Sequence, residues 1–191
     1  IQHNRVFEGW QVSSIIQSQS GNPVNLIAGG LNLTGLQTLR PDQTGPINIV
    51  DTPSSGGIVW FAPSLCDPTD PKSPSCSGTS FAMPTSGGLH FGSMGRNVII
   101  GPGFNDVDFS LVKRTKINER FTHEMRLEAF DLFNHPNFGQ PGRVAQLVTN
   151  PANPTGPKIV SPTFGVISST RFPVGDSGSA RQLQFAMKLT F

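Results

Sequence analysis

Tyrosine is absent, and charge is scarce: 12 acidic and 14 basic residues leave only 14% of the 191-residue chain charged. Soluble globular domains carry about a quarter. The net charge is +2, and the basic residues are scattered. Only Lys113, Arg114 and Lys116 sit close together, with Glu119 soon after. With no polybasic arm, nucleic acid is not an expected partner. No stretch reaches the ~18 consecutive apolar residues of a spanning helix, so a membrane role survives only through β-strands, whose signal per segment is weaker. The chain opens on Ile1 without a basic segment leading into an apolar one; it reads as a fragment or processed piece with any export signal upstream.

Motifs of catalysis are missing as well. No Gly-x-Ser-x-Gly elbow occurs. Gly101-Pro102-Gly103-Phe104-Asn105-Asp106 begins like a phosphate loop but lacks the third Gly and a following helix. Asp131 and His135 stand four apart, yet Asn134-His135-Pro136-Asn137 reads as a turn. Asp67 and Asp70 suggest calcium, but Pro68 and Pro71 favour a solvated turn. The expectation is no enzyme, no cofactor and no metal. The two cysteines, Cys66 and Cys76, share one Pro/Ser/Asp-rich stretch without a nearby histidine and match no zinc spacing. A local disulfide formed in an oxidising compartment is the simplest reading, and two free loop thiols are the alternative.

What is plentiful is Gly (21) and Pro (17), which suits short strands joined by long irregular loops. Five segments carry periodicity. From Arg181 to Phe191 it is two: Leu183, Phe185, Met187, Leu189 and Phe191 fall on one face and Gln182, Gln184, Lys188 and Thr190 on the other. Eleven residues suit a tilted membrane strand of roughly 9–11, and equally a half-buried strand of a soluble sandwich. Val107–Ile117 alternates through Val107, Phe109 and Leu111. Trp10, Val12, Ser14 and Ile16 share one parity, Ser20-Gly21-Asn22-Pro23 is a strong turn signal, and Val24, Leu26 and Ala28 alternate again, so this stretch predicts a hairpin. Thr122–Asn134 is ambiguous. Helix formers and a helical face of Phe121, Met125, Ala129 and Leu132/Phe133 tip local propensity toward helix, while Met125, Leu127 and Ala129 alternate as a strand does. Glu124, Arg126 and Glu128 fit a polar lumen wall.

The connections run short, long, short, long. Stretches 31–105 and 136–180 lack sustained periodicity and are longer than loops in compact soluble domains usually are; 19–22 and 118–122 are short. If all five segments are antiparallel barrel strands, both short turns face the periplasm with the C-terminus and both long loops face outward, the asymmetry of bacterial outer-membrane barrels.

Three motifs then resemble the C-terminal region of TonB-dependent receptors, especially the Oar-like subgroup, in which a carboxypeptidase-regulatory-like module often precedes plug and barrel. The first is Gly95-Arg96-Asn97 running into Gly101-Pro102-Gly103-Phe104-Asn105 and the strand Asp108-Phe109-Ser110-Leu111. The second runs from Glu128 through Ala129-Phe130-Asp131-Leu132-Phe133-Asn134-His135-Pro136-Asn137-Phe138 to Gly139 and is similar to the penultimate-strand signature, with Asp131 where Asn is usual. The third is Ala180–Ala186 running to the terminal Phe191. Trp10 and the turn at 20–23 fit the preceding hairpin.

The resemblance covers nearly the whole chain and turns Thr122–Asn134 into a strand. It implies an all-β fold: C-terminal strands and long loops of an antiparallel outer-membrane β-barrel, spanning residues 1–191 and unable to close alone, since such barrels have about 22 strands. It also implies a structural part in uptake of a nutrient or in surface adhesion. The implied partners are outer-membrane lipid, an extracellular substrate of unread identity and TonB acting through an N-terminal plug outside this sequence. A further one is the barrel-assembly machinery, read through Leu183, Phe185, Met187, Leu189 and Phe191. Phe and Trp would take the place of Tyr in the interfacial girdles. A soluble extracellular all-β binding or adhesion module is the alternative.

Overall fold

The computed structural model describes residues 7–33, 35, 39–171 and 180–191. Among the described residues there is no helix; the fold is all-β. The chain divides into two compact units, residues 1–20, 103–137 and 170–191, and residues 21–102 and 138–169.

The first unit is one antiparallel sheet of four long strands, β1 (Trp10–Gln19), β2 (Phe104–Lys116), β3 (Thr122–Phe130) and β4 (Gln182–Thr190), in that spatial order. Its register is continuous. Trp10 faces Lys113, which faces Met125, which faces Met187. One short connection, 117–121, joins β2 to β3, and the Asn118 side chain closes it by accepting the N–H groups of Arg120 and Phe121 at 3.0 and 2.8 Å. At the opposite end Gln19 lies beside Phe104 and Phe130 beside Gln182, so both long connections leave from the same end. β1 and β4 are open edges, as expected of barrel wall that cannot close alone.

Over 122–134 local propensity leans to helix and the family resemblance implies a strand; Thr122–Phe130 is a strand with neighbours on both sides. Pairing overrides propensity here because a helix would leave the edges of β2 and β4 unpaired. The alternation breaks at Phe130 because the strand ends there, where Asp131 takes a positive φ of 48°.

The predicted hairpin of 10–16 with 24–28 does not form. β1 pairs with β2 over its whole length, while Pro23–Val24 pairs with Ile99–Ile100 and Ile27–Ala28 with Val144–Ala145. Pro23 lacks the N–H that a long ladder needs, and β2 offers β1 ten paired positions. The turn at 19–22 therefore stands at the end of the sheet opposite 117–121, not beside it.

The second unit gathers most of the two stretches read as loops, and it has its own core. Phe61, Phe81 and Phe164 are fully buried and meet edge to face with ring centroids 5.2–5.9 Å apart. Leu26, Leu65, Met94 and Ile99 surround them. Ring quadrupoles favour this geometry over a sandwich. The strands around it are short: the Ile49–Ser54 and Gly57–Phe61 hairpin carries Val166–Ile167 on its other edge, and Phe81–Ala82 lies between Asp42–Gln43 and Leu65–Cys66. Gly57 is required, since its φ is 130° and a Cβ there would stand 2.0 Å from the Ile167 carbonyl oxygen. Cys66 and Cys76 are joined by a disulfide across a Cα separation of 5.2 Å.

Candidate functional site

Antiparallel neighbours share a face, so the register divides the four-stranded sheet in two. One face collects Trp10, Val12 and Ile16; Val107, Phe109 and Leu111; Met125, Leu127 and Ala129; and Leu183, Phe185, Met187 and Leu189. Apart from Ser14 its polar members stand at the two ends, Lys113, Thr115 and His123 toward the 117–121 end and Ser18 and Asn105, hydrogen-bonded to each other, at the other. The apolar side chains are widely exposed: Leu183, Phe185, Met187 and Leu189 retain 53–69% of their surface. A sheet that leaves such a continuous apolar face uncovered needs a nonaqueous neighbour. The structure thus puts these four residues of the proposed assembly signal on one face, with Phe191 just beyond β4 and 91% exposed.

The opposite face is mainly polar, with Ile15, Val112 and Ala186 as apolar members along its middle. It carries Gln11, Ser13 and Gln17; Asp106, Asp108, Ser110 and Arg114; Glu124, Arg126 and Glu128; and Gln182, Gln184, Lys188 and Thr190. Its centre is an ion ladder. Arg114 Nε donates to Glu124 Oε2 at 2.7 Å, Arg126 Nη2 to Glu124 Oε1 at 3.2 Å, and Arg126 Nη1 lies 3.7 Å from Glu128 Oε1. Arg114 and Lys188 are the cross-strand neighbours of Glu124 on either side. Each such pair contributes roughly 0.2–1 kcal/mol. The Glu124, Arg126, Glu128 alternation was legible in the sequence; the part of Arg114 was not, since it depends on register.

Two rims bound the sheet. At the 117–121 end the Lys113 ammonium stands 4.8 Å from the Trp10 ring centre and donates to the Glu8 carbonyl oxygen. At the other end the strand-to-loop motif is sewn to β2. Asp131 N–H donates to Asp108 Oδ1 at 3.1 Å, and Asp131 Oδ1 accepts the His135 N–H at 3.0 Å. Asn137 bonds the Asn105 backbone through both ends of its amide. Asp131 and His135 are thus brought together, through a turn rather than a helix face, and the His135 ring is not what Asp131 holds. Asn134, at a positive φ of 53°, accepts the Arg181 N–H at 2.9 Å.

A family model described as an outer membrane beta barrel domain matches residues 3–184. The chain belongs to the outer membrane beta barrel domain family. No curated protein and no solved structure matches it. The barrel family accounts for the two faces: the apolar one toward lipid and the polar one toward the lumen, in strands of 9–13 residues that fit a bilayer when tilted. The protein is an outer-membrane one, and the soluble-module alternative falls with that assignment.

The barrel protein's second unit holds the remaining ionisable clusters. Burial pushes the Asp67 carboxyl up, but hydrogen bonds from the Thr85 hydroxyl and from the Thr69 N–H and hydroxyl outweigh it and hold the group below its ordinary value. The Asp70 carboxyl is held low mainly by Lys158, 2.8 Å away, and by the Lys72 N–H. These contacts make Asp67 and Asp70 the fasteners of a turn. His90 places Nδ1 2.9 Å from the Gly88 carbonyl oxygen and Nε2 2.9 Å from Asp42 Oδ2. Both partners are acceptors, first the carbonyl and then the carboxylate, so they raise the imidazole above its ordinary value. Nothing in the sequence signalled this pair, whose members lie 48 residues apart.

Proposed function

We propose that this chain is the C-terminal wall of a TonB-dependent receptor-like barrel of the Oar-like kind, serving uptake or surface adhesion as structure and not as an enzyme. The observation that carries the orientation is the placing of the connections: the 117–121 turn at one end of the sheet, the departures toward residues 20–103 and 131–181 at the other. Outer-membrane barrels keep short turns in the periplasm and long connections outside, so the compact second unit belongs to the cell surface and the C-terminus to the periplasm. The motif resemblance supports the receptor reading. It implies that a plug and TonB, outside this sequence, would supply coupling, and that the barrel-assembly machinery reads the strand ending in Phe191. The substrate is to be sought among ligands of the second unit and the polar face.

An epitope inserted between Gly87 and Gly88, both exposed, should be stained by antibody on intact cells, and one inserted between Asn118 and Glu119 should not. The reverse pattern would overturn the orientation. Uptake or adhesion that persists undiminished in a strain without TonB would overturn the receptor reading while leaving the orientation standing.

A further inference from the structure

We propose that the apolar hollow beside Trp10 and Lys113 on the lipid-facing side of the sheet docks one phospholipid, with an acyl chain in the hollow and the phosphodiester on the Lys113 ammonium. The hollow has a volume of about 240 Å³ and is lined by Trp10, Leu111, Met125, Leu127 and Phe185 together with Lys113 and Arg126. Five of these seven are apolar, and they span all four strands; Arg126 belongs by register to the polar face, where it pairs with Glu124 and Glu128.

The position of the charge identifies the occupant. Lys113 is the one Lys or Arg on this face among the described strand residues, and no Asp or Glu shares it. His123, on β3, is the other titratable group there. Lys113 sits where the apolar rows give way to Thr115 and His123, three residues from the end of β2, roughly 10 Å along the strand. An ammonium at the hydrocarbon centre is costly, and a lysine near the end of a spanning segment reaches for the interfacial layer. The anion of that layer is a lipid phosphate. Its oxygens can accept from an ammonium that has three N–H groups to offer and already donates to the Glu8 carbonyl. The Trp10 indole, 52% exposed, marks the same depth as an interfacial anchor. Glu8, Lys116, Glu119 and Arg120 also lie at this rim, Lys116 on the polar face. Choosing phospholipid over lipopolysaccharide rests on the orientation proposed above, which puts this rim in the inner leaflet.

The test uses the protein extracted from outer membranes, stripped of lipid in detergent and titrated with phosphatidylglycerol under native mass spectrometry. Lys113→Gln should weaken the first bound lipid about five-fold, the worth of one basic residue at a membrane surface. Lys116→Gln, at the same end but on the polar face, should leave it unchanged. Leu127→Trp, which fills the hollow and keeps the charge, should also weaken it. Equal binding by wild type and Lys113→Gln, or equal weakening by Lys116→Gln, would reduce the site to general annular contact and overturn the proposal. Lys113-dependent retention of lipopolysaccharide in place of phosphatidylglycerol would overturn the choice of lipid and the orientation together.

Discussion

The carboxamide of Asn137 occupies the place of a missing strand beside Asn105. Its Oδ1 accepts the Asn105 N–H at 2.8 Å, and its Nδ2 donates to the Asn105 carbonyl oxygen at 2.9 Å. Asn137 is 5% exposed, so both backbone groups depend on it where β2 begins. Leaving buried groups unpaired costs about 1–3 kcal/mol. Asn137→Ala should lower the temperature at which the extracted barrel loses its heat-modifiable gel mobility. Asn137→Asp, which keeps the acceptor and loses the donor, should fall between Ala and wild type. An unchanged transition in Asn137→Ala would show that the clamp is redundant.

Charge on the two faces of β4 should be tolerated unequally. Phe185→Arg and Met187→Arg put a guanidinium toward hydrocarbon at a cost of about 2–4 kcal/mol near the midplane. Lys188→Glu, opposite Glu124 on the polar face, should cost less than about 1 kcal/mol. Removal of Phe191, which lies outside β4, should reduce outer-membrane levels more than its contacts explain. Normal surface levels without Phe191 would contradict its part in the assembly signal.

The His90–Asp42 contact should make the second unit sensitive to pH. The folded imidazole titrates above its ordinary value of 6.5, through the Gly88 carbonyl first and the Asp42 carboxylate second. Its stabilisation is therefore complete below that value and is lost as pH rises through the folded one. Ser93 N–H donates to the other Asp42 oxygen at 2.8 Å, so residues 84–94 should report the change. Corrected for intrinsic rate, their hydrogen exchange should be faster at about pH 8.5 than at about pH 5.5, and His90→Gln should abolish the difference. A pH effect of equal size in His90→Gln would assign it elsewhere.

The Cys66–Cys76 bond closes a short loop, with a sequence separation of 10, worth about 3 kcal/mol in the chain-entropy view. Surface-exported protein alkylated without reductant should carry no label at either cysteine by peptide mass. Two labelled thiols would contradict the pairing.

How much of this was legible in the sequence depended on how far the partner lay. The final strand announced itself, because Leu183 to Leu189 alternate without interruption and one face of β4 is uniformly apolar. The strand 122–130 was legible only through family resemblance, since its residues favour helix locally and its decisive contacts, Met125 with Lys113 and Met187, are set by neighbouring strands. Turn chemistry misled at 20–23, because Pro23 and Val24 find their partners at Ile100 and Ile99, far beyond any local signal. The core of the second unit was hidden for a related reason. Phe61, Phe81 and Phe164 sit in or beside strands of 2–5 residues, too short to show a period, amid Gly and Pro that read as loop. The Arg114–Glu124 contact could be found only after register was known.

The division of the sheet into a lipid face and a lumen face is tested most directly by single cysteines carrying a fluorophore along β3 and β4, in the protein reconstituted into bilayers containing a lipid-borne quencher. Positions 125, 127, 183, 185 and 187 should be quenched, and positions 124, 126, 128, 184 and 188 should not. Quenching that fails to alternate with position, or that falls on the Glu124–Arg126–Glu128 side, would contradict the barrel-wall assignment.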